Sequence, residues 1–180
     1  MIALPKSKVL NIGISNFSPS QLRELISKTG VKPFAHQMEL HPYLQQSAWL
    51  TAHEALGIAV TAYSPLANSN PTYDPKDDPK DDKNSLPPPL LRNEVVRQIA
   101  EDRNCTTAQV ALAWGIGRGT SVIPKSSHAQ YIKEDFEALD CELEIADLAK
   151  LKLLGTEFLH RFSNPSKQWN VELFDGLEGV

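Results

Sequence analysis

The residues best suited to chemistry stand at the ends of four short apolar runs. Ile12-Gly13-Ile14-Ser15-Asn16-Phe17 closes on a hydroxyl and an amide, and His36-Gln37-Met38-Glu39-Leu40-His41-Pro42 carries imidazoles, an amide and a carboxylate. Ala62-Tyr63-Ser64-Pro65-Leu66 joins a phenol to a hydroxyl, and Val122-Ile123-Pro124-Lys125-Ser126 sets a cation beside a hydroxyl. An amide side chain donates and accepts hydrogen bonds in one plane. A cation and a hydroxyl at a strand end, followed by a helix N-terminus, make an anion site. Each group has an alternative: Ser15-Asn16 can cap or turn the chain, and Ser64-Pro65 can be an ordinary turn. Of the remaining histidines, His53, His128 and His160 read as surface residues, and no pair has metal-ligand spacing within a helix.

The elements that position these groups are legible from pattern. Val9–Ser15, Phe34–Leu40, Ile58–Tyr63 and Thr120–Ile123 read as buried parallel strands. Ser18-Pro19-Ser20-Gln21 predicts a helix start, with Ser18 as cap, Pro19 in the first turn and Gln21 closing a capping box; Gly30 ends that helix. Further helices are expected over Ser47–Leu56, Leu91–Asp102, from Thr106 into the glycines at 115, 117 and 119, over Ser126–Leu139 and over Ile145–Leu154. Residues 68–90 break the pattern, with six prolines and five aspartates, and read as a solvated loop. Strand and helix alternate four times, which argues a parallel α/β sheet with right-handed crossovers. Periodicity alone does not separate an open doubly wound sheet from a barrel.

Composition bounds the function. At 180 residues with 41% hydrophobic and 22% charged residues, the chain fits one soluble domain. A net charge of −4 gives no general attraction to nucleic acid or anionic lipid. No apolar run is long enough for a membrane span, and the first six residues are too polar for a secretory signal. Cys105 and Cys141 lack metal or redox spacing and read as buried or incidental thiols of a reducing cytosol. The expectation is a cytoplasmic protein without a bound metal.

Taken in order, the four polar-ended runs resemble the second half of an aldo-keto reductase, a (β/α)8 TIM-barrel oxidoreductase that uses NADP(H). The resemblance covers residue 8 to the C-terminus and maps the strands to the fifth through eighth of the barrel, followed by a C-terminal helix and a tail. It implies one partial oxidoreductase domain over 1–180, with the 68–90 loop as an insertion and 156–180 as a substrate-loop-like tail. By that resemblance Ser15, Asn16 and Gln37 bind the carboxamide of the nicotinamide, and Tyr63 stacks under its ring. Ser64 and Leu66 begin the loop that meets the pyrophosphate. Lys125 and Ser126 would bind the 2′-phosphate of NADP. Tyr131 stands where relatives carry an arginine for that phosphate, and Asp135, beside Glu134, stands where an asparagine meets the adenine. These departures imply a weakened preference for NADP over NAD. His41 would be structural, and His36, at a position commonly asparagine, has no assigned role. In the tail, with Asn164-Pro165-Ser166 and Phe174, Trp169 either contacts substrate or packs the loop down.

The family's catalytic Asp, Tyr, Lys and His belong to the first four strands, which have no counterpart in these residues. Met1-Ile2-Ala3-Leu4 resembles the end of the helix before the fifth strand, so a truncated chain is expected. Half a barrel leaves open strand edges and inward side chains facing water or a partner. Three readings stay open: a component of an NAD(P)H-dependent aldehyde or ketone reductase, an inactive cofactor- or protein-binding half-barrel able to self-associate, and a truncated gene product. The purified chain alone should turn over no carbonyl in an NADPH-consumption assay. Turnover abolished by changing Tyr63 would contradict the map.

Overall fold

The computed structural model describes residues 1–69, 87–164, 170 and 174. Strands β1 (Gly13–Ser15), β2 (Ala35–Glu39), β3 (Ala59–Tyr63) and β4 (Ser121–Val122) form a parallel sheet in that order. The register sets Gly13 against Ala35 and Ser15 against Gln37. Each strand is shorter than its apolar run. Before β1, for example, the N–H groups of Lys8 and Val9 both donate to the Pro5 carbonyl (2.8 and 3.1 Å), so that stretch turns instead of pairing.

Two compact units make up the chain: Met1–Met38 with Gln46–Thr61 and Ser163–Val180, and Glu39–Gln45 with Ala62–Phe162. In the first, helix α1 (Pro19–Thr29) starts as the sequence predicts. Ser18 Oγ accepts from the Gln21 N–H, Gln21 Oε1 accepts from the Ser18 N–H, and Gly30 closes the helix at φ 67°. Helix α2 (Ser47–Leu56) ends at Gly57, whose φ of 62° favours a residue without a side chain. Leu22, Trp49, Ile58 and Val60 are buried. His53 is fully buried too, which corrects its reading as a surface residue. The strands show one covered and one open face. His36 and Met38 are buried while Gln37 is exposed; Val60 is buried while Ala59 is exposed; Gly13 and Ser15 are exposed on either side of a half-buried Ile14. Phe34, just before β2, is 57% exposed.

The second unit departs from expectation at several helix ends, each for a local reason. Instead of one helix from Leu91, a 3₁₀ turn (Leu90–Arg92) precedes α3 (Glu94–Arg103), because Asn93 is extended and its Oδ1 accepts from the Val95 N–H as a cap. Helix α4 (Thr107–Gly117) opens with the expected Thr106–Gln109 capping box but does not fray at Gly115. Gly115 is buried, and a Cβ there would lie 2.9 Å from Val122 Cγ1, so this glycine lets helix and strand approach. Helix α5 (Ala129–Phe136) starts later than Ser126, since Ser126 Oγ accepts from the His128 N–H in a turn, and it gives way to a 3₁₀ turn over Glu137–Asp140. Helix α6 (Ile145–Glu157) begins with a reciprocal Glu144–Asp147 cap.

Polar clamps tie these helices together. Arg103 donates from Nε to Asp147 Oδ2 at 2.7 Å and also pairs with Glu144, so the end of α3 is fixed to the start of α6. Burial pushes the Asp147 carboxyl up, but the Arg103 and Glu144 hydrogen bonds outweigh it and hold the group below its usual range. Tyr43, fully buried, donates to the Pro88 carbonyl (3.0 Å) and accepts from Asn93 Nδ2 (3.1 Å). Asn68 Oδ1 accepts from the Leu90 N–H at 3.0 Å, so the two ends of the predicted 68–90 loop are pinned together; its residues 70–86 lie outside the described residues.

One sequence expectation fails outright. Cys105 and Cys141 are not free thiols; they form a disulfide with Cα atoms 6.0 Å apart, joining the α3–α4 connection to the start of the segment before α6. Their separation of 36 residues carries no recognisable spacing, which is why the sequence did not disclose it. Closing a loop of that length should stabilise the oxidised chain by roughly 3–4 kcal/mol. Urea titrations with and without reductant check this, and coincident midpoints would contradict it.

Candidate functional site

The first group of candidate residues lies in the first unit. β1 and β2 are in parallel register, so their C-terminal ends bring Ser15, Asn16 and Gln37 side by side. The Asn16 N–H donates to the Gln37 carbonyl at 3.1 Å, extending the ladder one residue beyond β1. Asn16 then takes a left-handed backbone (φ 58°), a conformation that asparagine tolerates better than most residues. The turn directs Asn16 into a half-buried position where Oδ1 is buried and, among the described residues, accepts no hydrogen bond. A buried acceptor without a donor costs about 1–3 kcal/mol. Ser15 and Gln37 stay exposed, offering a hydroxyl and an amide beside that acceptor. The arrangement fits a planar carboxamide: its N–H₂ could satisfy Asn16 Oδ1.

Beneath this turn lies an array that sequence reading missed. His36 Nε2 accepts from the Phe17 N–H at 3.1 Å, His36 Nδ1 meets His53 Nε2 at 2.6 Å, and His53 Nδ1 meets the Trp49 carbonyl at 2.7 Å. Trp49 packs edge-on against both rings. A signal was present: His36 shares the buried parity of Met38 in β2, and His53 follows Trp49 by four residues on one face of α2.

The second group lies in the second unit. Tyr63 ends β3 half-buried, and the Ile123 N–H donates to the Ala62 carbonyl at 3.2 Å, which brings the β4 exit beside the β3 exit. Ser64 has φ 47° and Ala67 φ 53°; the Ala67 N–H donates to the Ser64 carbonyl, making a tight loop that also holds half-buried Leu66. Left-handed backbone at non-glycine residues is stored strain of a kind that clusters at functional sites. Lys125 is exposed, and Ser126 precedes the N-terminus of α5, where no side chain caps the helix. Tyr131 is 54% exposed and sits edge-on to His128, so at the expected arginine position there is a phenol and no cation. Glu134 accepts from Gln130 at its carboxylate and from Gln109 at its carbonyl. Asp135 is half-buried, and burial followed by the neighbouring Glu134 raises its carboxyl above the ordinary value.

His41 is structural, as its motif implies. Its Nε2 lies 3.0 Å from Oε1 of buried Glu39, and the same oxygen accepts from the Phe162 N–H at 2.7 Å. Trp169 lies outside the described residues; of its tail companions Asn164 is exposed and Phe174 is buried. Among the described residues no cluster of three His, Cys, Asp or Glu side chains could hold a metal, and no helix is long and apolar enough to cross a membrane.

The model of the aldo/keto reductase family matches residues 6–155. An uncharacterised oxidoreductase of Schizosaccharomyces pombe is 39% identical over 177 residues, covering 97% of this chain and 50% of the relative. An NADPH-dependent D-xylose reductase of Meyerozyma guilliermondii is 36% identical, covering 89% of this chain and 48% of that enzyme. Among solved structures, an aldose reductase of Giardia lamblia superimposes with a TM-score of 0.78 at 28% identity, over 94% of this chain and 53% of that one. An aldo/keto reductase of Brucella melitensis does so with a TM-score of 0.68 at 34% identity, over 83% of this chain and 50% of that one. The chain thus spans about half the length of the curated relatives it matches. Motif order, parallel βα architecture and these matches together place it in the aldo/keto reductase family.

Proposed function

We propose that this chain is the cofactor-holding part of an NAD(P)H-dependent reductase of aldehydes or ketones. The observation that carries the reading is the buried, unpartnered Oδ1 of Asn16 beside the exposed Ser15 and Gln37. In this reading Asn16 Oδ1 accepts from the nicotinamide carboxamide, while Ser15 and the Gln37 amide hold its other edge. Tyr63 supplies a flat apolar face for the ring, a contact worth about 0.5–1.5 kcal/mol beyond area burial. The strained Ser64–Ala67 turn, with Leu66, presents backbone toward the pyrophosphate. Lys125 and Ser126 supply charge and a hydroxyl for the 2′-phosphate, and Glu134 and Asp135 flank the adenine. The bound cofactor supplies the hydride. In this reading none of the residues named here donates the proton to the carbonyl oxygen.

The D-xylose reductase relative is NADPH-dependent by name. Here, however, Tyr131 replaces the guanidinium that the family pattern sets at the phosphate, removing a charge-assisted contact worth roughly 1.5–3 kcal/mol. Asp135 adds a carboxylate nearby. NADP remains the proposed cofactor, with NAD accepted at comparable affinity. The open strand faces support a second reading for the isolated chain, in which it associates with itself or with another polypeptide and acts as an inactive binding half. We place it in the cytoplasm, a compartment in which a disulfide such as Cys105–Cys141 is uncommon.

NADPH fluorescence should change on titration with the chain. Asn16→Ala should weaken the affinity about tenfold, as expected for one lost buried hydrogen bond. Lys125→Met should weaken NADPH more than NADH. Unchanged fluorescence at saturating protein would refute the cofactor reading and favour an inactive partner-binding role. Dissociation constants for NADPH and NADH should lie within ~100-fold of each other; a wider gap would contradict the role given to Tyr131.

A further inference from the structure

The His36–His53 pair has no part in the reading above, yet its hydrogen bonds run to the backbone of the residue after Asn16. The direction of every proton in it follows from its two ends. The Phe17 N–H can only donate, so His36 Nε2 is a lone pair, and in a neutral ring Nδ1 carries the proton. That proton points at His53 Nε2, 2.6 Å away, which must accept. His53 therefore carries its own proton on Nδ1 and donates it to the Trp49 carbonyl at 2.7 Å. Both rings are fully buried. Among the described residues, the titratable group facing each ring is the other ring; α2 otherwise presents the Trp49 carbonyl, and the turn after β1 presents the Phe17 N–H.

We propose that His36 is a positioning residue, which acts through a proton-ordered relay (Phe17 N–H to His36 to His53 to the Trp49 carbonyl) to hold the Asn16–Phe17 turn in the geometry that aims Asn16 Oδ1. The part of this that concerns ligand affinity rests on the carboxamide reading of Asn16. A proton added to His36 would fall on Nε2, opposite the Phe17 N–H; one added to His53 would fall on Nε2, opposite the His36 Nδ1–H. Either charge puts donor against donor and opens the relay, so the turn is held only while both rings are neutral. Burial first, and then His53, hold His36 down to about 4, and burial lowers His53 as well. The sign follows: a base with a depressed folded value contributes stability that is fully present above the ordinary histidine value of ~6.5. That stability is lost as pH falls through the folded value, so the relay is intact at neutral pH and fails only on acidification.

Two substitutions separate this role from bulk packing. In His36→Gln the side-chain oxygen can reach the place of Nε2 and keep an acceptor for Phe17. In His36→Asn the shorter amide can reach only the place of Nδ1. The experiment is nitrogen-15 and proton NMR of the full chain, with the histidine ring nitrogens and the Phe17 amide observed across pH ~7 to ~4, alongside NADH titrations at neutral pH. NADH avoids titration of a 2′-phosphate. The proposal requires Nδ1–H tautomers in both rings, and a Phe17 amide that shifts together with the rings below the ordinary histidine range. It also requires Phe17 amide exchange about tenfold faster in His36→Asn but within ~3-fold of the parent in His36→Gln. NADH affinity should follow the same order. An Nε2–H tautomer at His36, or equal effects of the two variants on Phe17 exchange, would overturn it. If Phe17 responds as described while NADH binds to no form of the protein, the relay stands and the cofactor reading falls.

Discussion

The parallel register of β1 and β2 is the constraint on which the candidate site depends. It sets Ser15 against Gln37, and it is enforced from the other side of the sheet, where His36 and Met38 are buried and Gln37 is not. A slip of one residue would turn Gln37 into the core and expose the histidine and methionine. A polar pair at the strand ends is thus held in place by burial on the opposite face. The same face carries a hydrogen-bonded polar core: His36, His53 and the Trp49 carbonyl satisfy one another in the buried interior.

The second unit follows a parallel logic with different parts. Its elements are tied together by polar groups that each serve two of them, Asn93 and Glu39 buried and Arg103 half-buried. Asn93 caps α3 and donates to Tyr43, Glu39 meets His41 and the Phe162 N–H, and Arg103 joins the end of α3 to the start of α6. Leaving buried Asn93 or Glu39 unpaired costs more than the bond itself contributes, so such groups fix geometry more firmly than apolar packing alone. The loop exits after β3 and β4 inherit that rigidity, and strain at Ser64 and Ala67 is tolerated there.

Much of this was legible in the residues. Helix starts were readable wherever a side chain closes its own cap, as at Ser18-Gln21 and Thr106-Gln109, because the hydrogen bond spans only three residues. Helix ends at Gly30 and Gly57 were readable because their positive φ needs glycine. The ordered polar strand ends disclosed the family. What stayed hidden depends on distant parts of the chain. Gly115 looked like a helix breaker, but the close approach of Val122 makes it a packing residue. His53 looked polar and therefore exposed until its partner 17 residues away was in place. The disulfide joins residues that local pattern cannot pair.

In the proposed reading the β1 and β2 ends of this chain receive a carboxamide. The most direct measurement is the side-chain amide spectrum of Asn16 and Gln37 in nitrogen-15-labelled protein as NADPH is added. Both side-chain amides should shift together with saturation. Saturable shifts confined to other residues, with Asn16 and Gln37 unmoved, would contradict it.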